Sequence, residues 1–482
     1  MTYFKLKAMI VIIAALSMSY CNSNGEKSTE KETEKEVKKV TLSKRFSDRH
    51  FTTVIPQLKP LEGKDGITIG VRAKDCSVCH KEIYEEWSKS THATALQDIQ
   101  YQSELAKNES PKWLCLNCHI PVQNQREYFV NKDTLIEDKG DDIRFLVKKT
   151  NPDFDPTMQV ESITCAVCHI RQDEQGKSYI IGSHNSNKAP HPLKQDKKYL
   201  RNHCISCHTP TGAHLTSTFL CWFYTGDELK NGPYANKKDC VDCHMPAKKR
   251  PLVSGYPSRT VSQHHWTGGG VPKWFKDYDK LIERGYEPAL KVNVKNIGEI
   301  NPGKTLSVKL TYKNAKAGHW LPTGDPERFI LIRATIQDNL GKEFAVEKLK
   351  FGQEWDWGDH NTGRPAKQLS DNRLKPLEER EWAFQIPLPS NITGQKLVIT
   401  AYHVRLTTQT AKFMMDTKGI NEKYIKDGQN LVKNADKHYP FASYVFREEV
   451  DLKTKKKKSF NLKELIELSK KEKDKKLSER VY

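Results

Sequence analysis

Ten of the twelve cysteines in this chain fall in five copies of one pattern, in which two cysteines three positions apart precede a histidine. The copies are Cys76-Ser-Val-Cys79-His80, Cys115-Leu-Asn-Cys118-His119, Cys165-Ala-Val-Cys168-His169, Cys204-Ile-Ser-Cys207-His208 and Cys240-Val-Asp-Cys243-His244. Two thiols at this spacing reach the two vinyl groups on one edge of a porphyrin, and the adjacent histidine meets the iron as its proximal ligand. The pattern therefore predicts five covalently attached c-type haems.

Three other kinds of site contain Cys-x-x-Cys: zinc clusters, disulfides and thioredoxin-like redox pairs. None of them requires a histidine directly after the second cysteine, whereas haem attachment does. Because all five copies have that histidine, haem attachment is favoured over the other three.

Distal ligands for five irons are available, because five of the 17 histidines lie in the motifs and twelve lie outside them. His92 is the first candidate. It follows His80 by twelve residues in a segment that reads as helix, which places it ~18 Å away, so it is expected to ligate a different haem. His214 and His184 rank next, His191 and His203 are open between ligand and structural roles, and His50 is a candidate from the N-terminal side.

The first motif with Tyr84, Trp87, Ser90 and His92 resembles the opening of the cytochrome c-552/c-554 family, tetrahaem electron acceptors of hydroxylamine oxidation and their relatives. The segment Gln263-His-His-Trp-Thr-Gly-Gly269 is similar to one that supplies a distal histidine late in such domains, which aligns His264 with that ligand. The resemblance covers roughly residues 70–275. It implies a mostly helical, loop-rich haem domain that passes electrons, and the fifth motif departs from the tetrahaem type.

Two residues outside these patterns have open roles. His319 lies in a Gly- and Pro-bounded loop and either reaches back to a haem or packs with Trp320, and the second reading is favoured. Cys221 has apolar neighbours, which favour a buried inert thiol over an iron ligand.

The N-terminus has the pattern of an export signal over residues 1–20, with Lys5 and Lys7 before an apolar run. Met18-Ser-Tyr-Cys21 resembles a bacterial lipoprotein cleavage site, so Cys21 is expected to carry lipid, followed by a disordered tether at 21–45. We therefore expect an exported lipoprotein, periplasmic or at the cell surface, anchored to a bacterial membrane.

The net charge of +19 does not indicate nucleic acid as a partner. Loss of Lys5 and Lys7 gives +17, and the ten propionates of five haems reduce this to about +7. That balance favours acidic redox proteins or anionic surfaces, and the chain has no DNA-binding signature.

These patterns predict a multidomain chain. Residues 46–275 form the pentahaem cytochrome c domain, loop-rich and mainly helical, and 285–450 form a β-sandwich of immunoglobulin-like type. Alternating stretches at 290–294, 306–312, 329–336 and 397–402 are the predicted strands. Residues 451–482 are expected to be a basic tail, either solvated or in contact with an acidic partner.

The favoured function is electron transfer between periplasmic or membrane redox partners through five haems. The alternative is a multihaem oxidoreductase acting on a small nitrogen or sulfur compound at a five-coordinate haem. No motif is Cys-x-x-Cys-Lys, which marks the catalytic haem in pentahaem nitrite reductases, so the carrier is favoured and no catalytic residue is assigned. A docking role for the β-rich region is compatible with the carrier.

Overall fold

A computed structural model describes residues 54–107, 112–129, 149–209, 223–358, 362, 364 and 366–482, with the backbone alone at 135–138, 142–146, 213–214 and 220–221. The predicted signal, Cys21, the tether and His50 lie outside the described residues. Within those residues, no helix has the length and apolar character needed to cross a membrane.

The haem region contains eleven helices in its described part, none longer than eight residues. They are α1 Ala73–Ser77, α2 Lys81–Ser88, α3 Ile99–Ala106, α4 Lys112–His119, α5 Pro156–Gln159, α6 Cys165–His169, α7 Lys197–Asn202, α8 Ile205–His208, α9 Thr225–Lys230, α10 Cys240–His244 and α11 Tyr278–Glu283. Helices this short are unstable in isolation, so packing and the prosthetic groups must hold them.

Small sheets separate these helices. The pairs are β1 Leu61–Glu62 with β2 Thr68–Ile69, β3 Leu135–Asp138 with β4 Asp142–Leu146, β8 Ala213–His214 with β9 Leu220–Cys221, and β10 Ala247–Pro251 with β11 Ser258–Ser262. A three-stranded sheet joins β5 Ile170–Gln172, β6 Ser178–Gly182 and β7 Leu193–Gln195. The region is therefore more mixed than the mainly helical prediction.

Two antiparallel sheets form the second half of the chain. Their strands are β12 Leu290–Ile297, β13 Thr305–Asn314, β14 Phe329–Gln337, β15 Glu343–Asp356, β16 Lys367–Asp371, β17 Glu379–Pro387, β18 Lys396–Val404, β19 Ala442–Asp451 and β20 Lys457–Ser459. One sheet has the order β12-β13-β17, and the other has the order β16-β15-β14-β18-β19-β20. The four predicted strands fall in β12, β13, β14 and β18.

The sheets pack face to face through alternating apolar side chains. Leu306, Val308 and Leu310 of β13 share one core with Ile332 of β14 and Ile399 of β18. This period-two burial is the pattern expected of a strand with one solvated face. The antiparallel sandwich of the multidomain prediction is present, while its immunoglobulin-like arrangement stays a prediction.

Strands β14 and β18 are buried along nearly their whole length, because helices cover the outer face of the larger sheet. These helices are α12 Thr408–Asp416, α13 Gly428–Lys433, α14 Ala435–His438 and α15 Leu462–Lys471. Val404 of β18 packs there with Val432 and Leu465. The segment predicted as a tail thus contributes a strand and a helix to the fold.

The two halves share buried contacts, and the described residues belong to one compact unit. Ile99 of α3 packs in the same apolar cluster as the helices that cover the larger sheet. The Tyr439 hydroxyl donates to Asp98 at 3.1 Å, and the Tyr278 hydroxyl donates to the Ala442 carbonyl at 3.1 Å. Helices of the haem region are therefore held partly by the β-rich half.

Candidate haem-binding site

Each attachment motif lies on or beside one turn of helix. Helix α6 spans Cys165–His169 and α10 spans Cys240–His244, while Cys115 and His119 lie in α4. Residues three and four apart face the same side of a helix, so the two thiols and the imidazole of a motif project together. The local sequence therefore presents the three groups that c-type attachment requires.

Motifs distant in the sequence meet in space. The Cys165 thiol donates to Cys76, which lowers the pKa of Cys76. The Cys207 thiol lies against Cys118, which raises the pKa of Cys207. Cys204 likewise shares a hydrogen bond with Cys240. The first motif is therefore next to the third, and the fourth is next to both the second and the fifth.

Three motif histidines are held closely by backbone carbonyl groups through Nδ1. His119 Nδ1 lies 2.8 Å from the Ala95 oxygen, His169 Nδ1 lies 2.8 Å from the Ile181 oxygen, and His244 Nδ1 lies 2.7 Å from the Thr267 oxygen. A ligating histidine commonly donates its second N–H in this way, which fixes its tautomer. These three imidazoles keep Nε2 for the iron.

Three motif histidines face a second imidazole. The ring centres of His92 and His208 are 6.2 Å apart, those of His169 and His264 are 6.3 Å apart, and those of His244 and His319 are 6.3 Å apart. An imidazole nitrogen binds a metal at about 2.0–2.1 Å and lies about 1.1 Å from its ring centre, so two rings on opposite sides of one iron have centres about 6.3 Å apart. The observed spacings match that of a bis-histidine iron.

His92 and His264 are held in the same small area. Trp266 makes edge contacts with both rings, at 4.6 Å to His92 and 5.2 Å to His264 between ring centres. His264 Nδ1 lies 3.0 Å from the Ser262 oxygen, and its backbone N–H donates to Glu86 at 2.9 Å. Helix α2 ends at Ser88, so His92 lies beyond this helix and not inside the longer helix predicted. The imidazole that His92 faces is His208, which belongs to another motif than His80.

Burial favours the neutral form of His92, His264 and His119. It lowers the pKa of His92 to about 3, with a further contribution from His208, and lowers the pKa of His264 to about 4. It also lowers the pKa of His119 to about 4, although the Ala95 carbonyl opposes this shift. Only a neutral imidazole has a lone pair for a metal, so these groups are in the ligating form near pH 7.

Two buried polar groups of the β-rich half fit a bound haem. His403 is 7% exposed and its Nε2 has no hydrogen-bond partner among the described residues, while its Nδ1 contacts the Gly269 oxygen. Arg328 has a buried Nε that is also unpaired within that part of the chain. Because His403 Nδ1 donates to that carbonyl oxygen, its unpaired Nε2 offers a lone pair, as a metal ligand does. The unpaired N–H of Arg328 instead suits a carboxylate, and each haem carries two propionates. These residues therefore fit the prosthetic group that the motifs imply.

The remaining predicted ligands are not brought opposite a motif histidine. His184 is exposed in the connection after β6, and the His203 ring stacks on Tyr199. For His214 only the backbone is described, so its predicted role lies outside the described side chains, as does that of Cys221.

His80 and His119 face no imidazole at ligand spacing among the described residues. The His119 ring instead stacks on Tyr101, with ring centres 3.5 Å apart and planes 2° apart. The Tyr101 hydroxyl is buried and has no hydrogen-bond partner in the described part of the chain.

The facing position of His319 is the main addition to the sequence prediction. The sequence favoured packing of His319 with Trp320, because no local pattern identifies a histidine in a loop as a ligand. The sequence feature that could have identified His319 as a ligand is the Gly318-His319-Trp320 loop.

Comparisons with known proteins give one family match and some similar solved structures. Residues 75–140 match the family described as cytochrome c554 and c-prime, which confirms the predicted relationship. The solved structure of a penta-heme cytochrome c552 from Thermochromatium tepidum is 16% identical and covers 80% of this chain and 97% of its own, with a TM-score of 0.47. A glycosyl hydrolase family 2 member from Bacteroides cellulosilyticus DSM 14838 is 8% identical over 34% of this chain and 16% of its own, with a TM-score of 0.16. No curated protein matches the sequence.

Proposed function

We propose that this multihaem c-type cytochrome, related to the cytochrome c554 and c-prime family, uses five haems to pass electrons between redox partner proteins. The observation that carries the proposal is the contact between motifs, since thiols of the first and third, second and fourth, and fourth and fifth motifs touch. These contacts make two groups of motifs, and Trp266 joins them, because it contacts both His92, which faces His208, and His264, which faces His169. Five haems attached at such positions would lie close enough together to form one electron path.

Haem iron supplies one-electron redox chemistry, and the protein tunes it through axial ligands and burial. The motif cysteines attach the groups and the motif histidines bind the irons from one side. His92 is assigned to the iron of His208, and His264 to the iron of His169. Half-buried Trp266 and buried Glu86 keep the two imidazoles in position.

We place the protein outside the cytoplasm, held to a bacterial membrane by lipid on Cys21, in the periplasm or at the cell surface. The β-rich half is assigned to an immunoglobulin-like sandwich that braces the haem region. The run Lys455–Lys458 is exposed and supports docking of an acidic redox partner or an anionic surface.

The haem count and ligation can be measured on the matured protein. Intact mass is expected to show five haem additions, and the Cys240→Ala/Cys243→Ala variant is expected to show four. Electron paramagnetic resonance of the oxidised protein is expected to show low-spin signals for bis-histidine irons. Fewer than five additions in the unmodified protein would contradict the proposal.

A second candidate, a reductase or oxidase of a small nitrogen or sulfur compound, has one observation in its favour. Within the described residues His119 is stacked by Tyr101 and faces no second imidazole. An iron bound there without a second protein ligand would have the open position that such catalysis requires. A high-spin signal that shifts on adding nitrite, hydroxylamine or sulfite would favour this enzyme. A spectrum with low-spin signals alone would favour the electron carrier.

A further inference from the structure

We infer that His319, from the β-rich half, is the distal ligand of the iron that His244 holds. His319 lies in the connection between β13 and β14, far along the chain from the fifth motif. The inference rests on the proposed function, because it requires a haem attached at Cys240 and Cys243.

The two imidazoles have the geometry of a trans pair. Their ring centres are 6.3 Å apart and their planes differ by 8°. His244 Nδ1 lies 2.7 Å from the Thr267 oxygen, and His319 Nδ1 lies 3.0 Å from the Trp320 oxygen. Both tautomers are therefore set by backbone carbonyls, which leaves both Nε2 atoms for a metal.

The alternative role, packing of His319 against Trp320, does not match the ring contacts. Trp320 lies under the guanidinium of Arg373, 4.9 Å from its ring centre, and within 5.6 Å of the Lys375 ammonium. The ring contact of His319 is with His244. The two neighbouring aromatic residues thus point to different partners.

A buried ion pair fixes the loop that carries His319. Glu228 of α9 accepts a 2.7 Å bond from Arg373, and both side chains are 5% exposed. The same carboxylate accepts the Trp320 backbone N–H at 3.2 Å and the Thr323 hydroxyl at 2.6 Å. Because Glu228 belongs to the haem region and Arg373 to the β-rich half, the pair joins the two halves beside His319.

The other side of the loop is fixed from within the sandwich. The fully buried Asn314 donates through Nδ2 to the His319 carbonyl at 2.9 Å and accepts the Ala317 N–H at 3.0 Å. Leu321 exchanges two backbone hydrogen bonds with Leu374. His319 is therefore presented by a rigid loop, as a ligand position requires.

The ligand assignment predicts a change of spin state at one haem. His319→Ala is expected to retain five haems by intact mass while one of the five changes from low-spin to high-spin, and added imidazole is expected to restore the low-spin signal. The matched control is His438→Ala in α14, where the ring bonds the Leu431 carbonyl at 2.8 Å, and it is expected to change no haem.

The outcomes separate this inference from the proposed function. Five haems with an unchanged low-spin spectrum in His319→Ala would overturn the ligand assignment alone, whereas a native protein lacking the haem at Cys240 and Cys243 would overturn both. If His319→Ala does not mature, His319→Met decides the question. It is expected to give one His/Met iron with a raised reduction potential, and unchanged potentials would overturn the assignment.

Glu228 is a positioning residue in this scheme. Glu228→Ala removes the acceptor for Trp320 and Thr323, so it is expected to give a partial high-spin signal at the haem affected by His319→Ala. Glu228→Gln keeps one acceptor oxygen and is expected to restore much of the low-spin signal. Fully low-spin spectra for both variants would show that Glu228 does not position the ligand.

Discussion

The carboxylate of Glu86 joins three parts of the haem region. It accepts bonds of 2.6 and 2.7 Å from Arg250 and a 2.9 Å bond from the His264 backbone N–H. Glu86 is 7% exposed and Arg250 is 6% exposed. A bidentate pair this well buried gives helix α2, strand β10 and the predicted ligand His264 one common anchor.

Removing that anchor is expected to be costly. Glu86→Ala leaves the buried charge of Arg250 without its main partner, so the free energy of unfolding is expected to fall by about 3–5 kcal/mol. Urea unfolding of the matured protein measures this change. The control is Glu381→Ala, which breaks an exposed 2.7 Å pair with Lys309 and is expected to cost less than about 1 kcal/mol. Equal losses would contradict the role of burial.

Glu327 is a second informative carboxyl group. Burial, together with Asp325 and Glu104, raises the pKa of Glu327 to about 8. The folded protein therefore keeps this proton up to about pH 8, whereas an unfolded chain loses it near pH 4.3. Since the folded state binds more protons in between, its contribution to stability falls as pH rises from about 4.5 to about 8.

Replacing Glu327 is expected to remove that pH dependence. Glu327→Gln should be more stable than the native protein at pH 8, by up to a few kcal/mol, and nearly equal to it at pH 4.5. Thermal unfolding between pH 4.5 and 9 measures the difference, with the exposed Glu381→Gln as control. A gain that does not vary with pH would show that burial of the proton is not its cause.

At the scale of elements, the C-terminal segment shows how a basic sequence becomes part of a core. Helix α15 begins with a capping box, in which Asn461 accepts the Glu464 N–H at 3.1 Å and Glu464 accepts the Asn461 N–H at 2.9 Å. Its apolar face buries Leu465 and Ile466, while its lysines stay towards solvent. The basic residues of this segment therefore lie on the outer face of α15, and its other face is apolar.

A single truncation in α15 tests this packing. Leu465→Ala is expected to lower the free energy of unfolding by about 2–5 kcal/mol, because the leucine is 4% exposed and a cavity remains. Leu340→Ala is the matched control, since Leu340 is 95% exposed and should change stability by less than about 0.5 kcal/mol. Similar small effects for both would indicate a loosely attached tail.

At the scale of the whole molecule, the haem region and the β-rich half depend on each other. Lys273 donates to the Tyr439 hydroxyl at 3.2 Å, Tyr439 donates to buried Asp98, and Arg373 pairs with Glu228, and all three contacts cross between the halves. Under the ligand assignment of His319, the β-rich half also completes one iron site. The sandwich is then part of the cofactor-binding unit rather than a separate attachment.

The proposed location of the molecule depends on one residue outside the described part. If lipid on Cys21 holds the protein at a membrane, Cys21→Ser is expected to move it from the membrane fraction to the soluble fraction with its haems retained. Fractionation after a high-salt wash measures this, and Cys221→Ser is the control that should remain bound. A Cys21→Ser protein that stays with the membrane would contradict lipid anchoring at this position.

The strand pattern of the second half could be read from the sequence because period-two burial is a local property. The stretches at 290–294 and 306–312 alternate as strands with one buried face do, and they lie in β12 and β13. The sheet order β16-β15-β14-β18-β19-β20 could not be read, since strands far apart in the chain pair by long-range packing.

What the sequence alone determined is the attachment chemistry, because two cysteines and a histidine within one helical turn form a complete local pattern. What only the tertiary structure decided is which second imidazole faces a motif histidine, and it brings such a pair together at three of the five motifs in the part of the chain that it describes. His92, His264 and His319 come from three separate parts of the chain, and ring spacing rather than residue order pairs them with His208, His169 and His244. A distal imidazole needs only an Nε2 atom at the right distance from the iron. The residues beside it in the sequence therefore need not follow any pattern.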